Sequence, residues 1–125
     1  MKKLFILLFS LLISFNSYGE WTKVASNSGD NYHLDLDNVK EYDGYIYYWE
    51  WDEYLKPSDN AIMGAIVYNQ GDCNLGRTNA LTVIFYDNPR LKGQGDPYTP
   101  PVNWVYQTPG SVGKSILDYI CNYIN

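Results

Sequence analysis

The chain has 125 residues with 14 acidic and 9 basic side chains, a formal charge of −5. Such a surface repels nucleic acid and lacks the polybasic stretch that holds peripheral proteins on anionic membranes. Two cysteines and a single histidine rarely complete a structural metal site.

The amino terminus reads as an export signal. Met1-Lys2-Lys3 is followed by the apolar run from Leu4 to Phe15 and by the small-residue exit Ser17-Tyr18-Gly19, and the run is shorter than the roughly 20 apolar residues that cross a bilayer. The expected boundary puts a signal peptide at residues 1–19 and a mature domain at 20–125. No cysteine follows the cut, where Glu20 stands, so no lipid anchor and no stable membrane insertion are expected, and the product is destined for the periplasm, the cell surface or the medium. Removing 19 of 125 residues leaves 106, the size of one domain with one core. Without Lys2 and Lys3 the mature part holds 7 basic and 14 acidic residues, and its formal charge falls to −7.

Hydrophobic and aromatic residues then alternate with a period of two, broken by turn residues. Predicted strands run from Trp21 to Val24, Tyr32 to Leu36, Tyr45 to Tyr54, Ile62 to Tyr68, Ala80 to Tyr86 and Val102 to Tyr106. Turns are expected at Asn27-Ser28-Gly29-Asp30, Asp43-Gly44, Lys56 to Asn60 and Asn69-Gln70-Gly71-Asp72, and the Asn88 to Pro101 stretch reads as a long loop. After Pro109-Gly110 the spacing changes to three and four, with Val112, Ile116, Tyr119, Ile120, Tyr123 and Ile124 on one helical face. Ser111 is the natural N-cap. The fold class is α+β: a single antiparallel sheet of about six strands carrying a C-terminal helix.

Cys73 and Cys121 both lie in the mature part, and an oxidising compartment favours their pairing, which would pin the helix end beside the turn after the fourth strand. Closing that loop restricts the unfolded chain by about 4 kcal/mol in the chain-entropy model. The competing readings are a metal site and a redox pair, and the latter normally needs Cys-x-x-Cys spacing.

Motifs for chemistry are weak. Gly113-Lys114-Ser115 opens a helix like a phosphate-binding loop, but Thr108 stands where the first glycine belongs. Asp35-Leu36-Asp37-Asn38 resembles the start of a calcium loop, yet position twelve is Ile46 and not glutamate. His33 alternates with Tyr32 and Leu34 and is read as solvated on a polar strand face. Glu50, Asp52 and Glu53 are read as solvated edge charges, with no cleft implied. No catalytic residue, metal ligand or cofactor is therefore expected. A small exported hydrolase remains the alternative, requiring Asp87, Asp96 or Glu50 to converge on a cleft.

The aromatic content stands out: twelve of the thirteen tyrosines and all four tryptophans follow residue 19. Tyr45, Tyr47, Trp49 and Trp51 alternate along one strand and share one face. Such residues bury large area while keeping a polar tip, so they form a candidate binding surface for a protein partner. They serve equally as the seat of the helix or core.

Several residues fall in a familiar order. Trp21 follows the signal; then come Tyr32 to Asp35, Gly44 before the aromatic strand with Trp49, Asp72-Cys73 with Arg77, and Tyr86 ahead of Gly93 and Gly95. Trp104, Tyr106, Pro109 and Ser111 lead into the helix ending in Cys121. In this order the chain resembles the surface-adhesin protein E-like family of bacterial exported domains across essentially the whole mature part. The resemblance implies an antiparallel sheet with a disulfide-held helix, noncatalytic adhesion to extracellular proteins, and self-association as a homodimer. A structural role in the periplasmic envelope is the other noncatalytic reading.

Overall fold

A computed structural model describes residues 20–56 and 61–125. The expected signal peptide, residues 1–19, and most of the turn expected at Lys56 to Asn60 lie outside the described residues. Eight strands form one antiparallel sheet: β1 (Thr22–Ser26), β2 (Asp30–Leu34), β3 (Lys40–Tyr42), β4 (Tyr45–Tyr54), β5 (Gly64–Asp72), β6 (Arg77–Tyr86), β7 (Asp96–Tyr98) and β8 (Val105–Tyr106). A 3-10 turn (Leu36–Asn38) links β2 to β3, and helix α1 (Val112–Tyr123) closes the fold.

The main order across the sheet is β1-β2-β4-β5-β6-β7. Strands β4 and β6 are ten residues long and each serves two short partners. Tyr45–Tyr47 pairs with β3 while Glu50–Tyr54 pairs with β2; likewise β6 meets β8 at its start and β7 towards its end. The β3–β4 hairpin turns on Asp43 and Gly44, both at positive φ, the geometry a two-residue turn needs to match strand twist.

Side chains of one β4 face meet the helix. Leu34, Ile46, Tyr48, Ile116, Leu117 and Ile120 form the buried core, and Val24, Leu36, Val39 and Cys121 pack around it. Ser111 caps α1 as its spacing predicts, its Oγ accepting from the Lys114 amide at 3.1 Å. The face differs from the predicted one: Leu117 is buried, whereas Tyr119 and Tyr123 are exposed. A stripe of 116, 117, 120 and 124 satisfies helical spacing as well as the predicted one, and Cys121 on the same side is bonded to Cys73, with Cα atoms 5.9 Å apart. The structural disulfide is therefore present, within the normal Cα range.

Two loops turn out to be strands. Asn69 to Asp72 continues β5 and the turn moves to Cys73–Gly76. Position 71 of the strand requires glycine because a Cβ there would come within 2.9 Å of Ile46 and 3.1 Å of Leu117: its missing side chain makes room for the helix. The polar neighbours are satisfied laterally, with Asp72 accepting from Arg77 Nε at 3.0 Å and Asn79 donating to Gln70 at 3.1 Å. Asp96–Tyr98, inside the predicted long loop, pairs with Val83–Phe85. Pro97 is tolerated because β7 is the edge strand, where one side of the backbone needs no ladder partner.

Candidate binding surface

Strand alternation assigns opposite duties to the two faces of β4. Ile46 and Tyr48 enter the core, while Tyr45, Tyr47, Trp49 and Trp51 share the face away from α1, all four half-buried. Cross-strand register then decides what each ring touches. Trp51 stands opposite His33 on β2 and Ile66 on β5; it stacks on the His33 ring at 4.1 Å and meets Trp21 edge-on at 5.8 Å. Trp49 packs against Tyr68 at 4.6 Å, and Tyr47 lies 6.3 Å from the same ring while its hydroxyl accepts from Gln70 at 3.1 Å. Tyr45 lies 5.4 Å from Trp104, whose other neighbour is the Arg77 guanidinium at 4.3 Å. These separations fall in the range where aromatic pairs attract beyond their area burial.

His33 is thus not a solvated strand residue. Its side chain is 13% exposed, stacked on Trp51 and 3.2 Å from a Glu53 carboxylate oxygen. The solvated reading failed because it took the polar residues of β2 to face water, whereas β2 lies inside the sheet and its neighbour on this face is a tryptophan. Asp35 is buried, and its carboxylate accepts from the Asp37 amide at 3.2 Å and from Asn38 at 2.8 Å, stabilising the 3-10 turn.

Of the four β4 rings, Trp49 lines a concave groove of about 720 Å³, with Trp21, Ile66, Tyr68 and Ile84 among its other lining residues. A second, shallower depression of about 530 Å³ continues it past Lys40, Tyr42 and Tyr47. Tyr42, Tyr98 and Tyr106, on β3, β7 and β8, are exposed. Trp21, Tyr68 and Trp104 belong to this surface, brought there from outside β4. Single-strand alternation signals that a face exists; only pairing register shows which rings of other strands join it.

The acidic residues of β4 also depart from expectation. Glu50 and Asp52 lie on a central strand, on the helix side, and border a cleft of about 270 Å³ with Tyr32, Tyr48, Asn69 and the first turn of α1. No lysine or arginine lines it. Burial first, then the bond and repulsion from Asp52, hold the Glu50 carboxyl well above the usual carboxylate range, opposed by the Asn69 amide that donates to it at 3.2 Å. Burial also raises Asp52, with Asp30 adding to the effect. Of the acids the hydrolase alternative requires, Glu50 lines this cleft beside Asp52, and Asp87 and Asp96 are not among its lining residues. Asp52, Ala65, Phe85 and Asp96 form one row across four strands, so Asp96 stands three strand spacings from Asp52, roughly 14 Å, beyond the separations used in glycoside hydrolysis.

A carboxyl group whose folded pKa is raised contributes most below its unfolded value near 4 and loses that contribution as pH rises through the folded value. We expect Glu50→Gln to match the unmodified protein near pH 4 and to be more stable at neutral pH by roughly 1–3 kcal/mol, the cost of a poorly compensated buried polar group. Urea unfolding at the two pH values checks this, and superimposable curves at neutral pH would contradict it.

The matching family model is that of surface-adhesin protein E, aligned over residues 21–122. The chain belongs to the surface-adhesin protein E family. Its fold is similar to crystal form II of Haemophilus influenzae protein E, with a TM-score of 0.61, 17% identity, and coverage of 86% of this chain and 91% of that one. A selenomethionine form of Haemophilus influenzae protein E aligns at a TM-score of 0.54 and 17% identity, covering 81% and 95% of the two chains. A further structure of the same protein gives a TM-score of 0.54 at 18% identity, covering 82% and 95%. No curated protein matches the sequence at a significant level. As a member of the protein E family, the chain is a surface adhesin-like domain, and its functional surface is to be sought among protein-binding faces. No described helix is long and apolar enough to cross a membrane, and among the described residues no cluster of His, Cys, Asp and Glu is arranged to hold a metal.

Proposed function

We propose that this chain is an exported, noncatalytic binding domain that docks extracellular proteins on its aromatic sheet face, with Tyr45, Tyr47, Trp49 and Trp51 at the centre. The observation that carries the reading is the division of labour in the sheet. One face seats α1 and the core, and the other presents half-buried rings around an open groove that no element of the described fold covers. Pre-stacked tryptophan and tyrosine rings have little side-chain freedom left to lose, and their removal dominates interface energetics where they act. The same face suits a second copy of the chain, since homodimer interfaces are richer in apolar surface than ordinary ones.

The test is binding of the mature protein, residues 20–125, to immobilised extracellular-matrix and serum proteins. Trp49→Ala and Trp51→Ala are each expected to weaken the observed binding tenfold or more, with far-ultraviolet circular dichroism unchanged. Full retention of affinity in both variants would remove the face from the interaction. Fractionating cells into periplasm, outer membrane and medium addresses display, and recovery from the periplasm alone would defeat the adhesive role.

A further inference from the structure

Cations stand at the rim of the groove on the aromatic face, in a protein of net negative charge. In a mature chain of seven cationic side chains, Lys23 stands opposite His33 and Lys40 opposite Tyr47, which places both on this face. Arg90 lines the groove from the turn after β6, while Arg77, which lies over Trp104, is paired with Asp72. Of the acids, Glu50 and Asp52 are on the helix side, in register with Leu34 and Tyr32, whereas Glu41 borders the depression beside Lys40 and Asp72 pairs with Arg77. Asp35, the one carboxylate among the lining residues of the groove, accepts from Asn38 and the Asp37 amide, and Glu53 bonds His33 and Asn31. Among the described residues the ion pairs are His33–Glu53, Asp72–Arg77 and Lys114–Asp118, and neither Lys40 nor Arg90 belongs to one. Two uncommitted cations therefore flank a floor of Trp49, Ile66, Tyr68 and Ile84, arriving from β3 on one side of β4 and from beyond β6 on the other.

Resting on the reading of this face as the docking surface, we propose that the groove selects an extended partner segment in which apolar side chains alternate with aspartate or glutamate. Apolar groups of such a segment desolvate against the rings and aliphatic floor, and its carboxylates reach Lys40 and Arg90 at the rim. A groove of about 720 Å³ lies within the size range of sites that enclose small ligands or a few side chains. The rim cations act chiefly on encounter rate and on rejection of basic partners, because exposed charge pairs contribute modestly and are weakened by salt. The floor supplies the affinity.

The experiment titrates the mature, oxidised protein with three synthetic peptides that alternate phenylalanine with glutamate, glutamine or lysine, following tryptophan fluorescence and calorimetry. The glutamate peptide is expected to bind at least tenfold more tightly than the lysine one, with a preference that shrinks as salt rises. Lys40→Glu combined with Arg90→Glu, both exposed positions, should abolish the preference while leaving the circular dichroism spectrum unchanged. Equal affinity for the three peptides, or no binding of the glutamate peptide, overturns the proposal. So does loss of self-association in the Lys40→Glu, Arg90→Glu protein without any peptide binding, which would assign the groove to a second copy. Docking of whole proteins that is lost in Trp49→Ala but unchanged in the double charge variant refutes acidic selection and leaves the aromatic face standing. Docking unaffected by either change removes both.

Discussion

Replacing Cys73 and Cys121 together by alanine is expected to lower the free energy of unfolding by about 4 kcal/mol, within the 2–5 kcal/mol usual for a native disulfide. The bond spans 48 positions of sequence, so in its absence the unfolded chain regains the freedom of a long loop. Its placement adds a second effect. Cys121 packs against the core stripe of α1, while Cys73 opens the turn after β5, three strands from the edge strand β1 that α1 also contacts. The link therefore fastens the helix to the middle of the sheet. Urea unfolding of the double variant beside the oxidised protein measures the loss, and a difference below about 1 kcal/mol would show that the folded packing, not the crosslink, holds the helix.

Leu117→Ala should cost a further 2–5 kcal/mol on its own, the range for truncating a large buried aliphatic side chain. Leu117 is 1% exposed, and its Cδ1 fills the space above Gly71 where a Cβ would stand 3.1 Å away. Tyr119→Ala, two positions along the helix and 40% exposed, serves as the control and should stay within about 0.5 kcal/mol of the unmodified protein. Adding Gly71→Ala to Leu117→Ala should be less harmful than the two separate losses predict, since the new methyl enters the vacated volume. Additive losses would mean that Gly71 and Leu117 do not share that space.

Much of this architecture is legible in the primary structure because it depends on local chemistry. The ten-residue alternation of Tyr45 to Tyr54 can only be a strand with one aromatic face. Asp43-Gly44 can adopt the positive φ values of a tight hairpin turn, and Ser111 after Pro109-Gly110 can cap a helix. Errors arose where neighbours in space overrode local preference. Asn69-Gln70-Gly71-Asp72 has the composition of a turn, but β6 supplies partners for its polar groups and the helix requires its glycine. Pro97 argues against a strand only where both backbone edges must be paired. Glu50 and Asp52 look like surface charges until the position of β4 at the sheet centre, beneath a helix, is known.

Strand and helix periodicity, the single possible cysteine pairing and the existence of an aromatic β4 face were determined by the chain's order of residues alone. Which helix stripe turns inward, which rings of other strands join Trp49 and Trp51, and which charges stand beside them were decided only by the tertiary structure. The physical reason is range. Backbone propensity and side-chain alternation act over a few residues, whereas burial and charge environment depend on strand register, which brings His33, Trp51, Ile66 and Ile84 into one row across 52 positions of sequence.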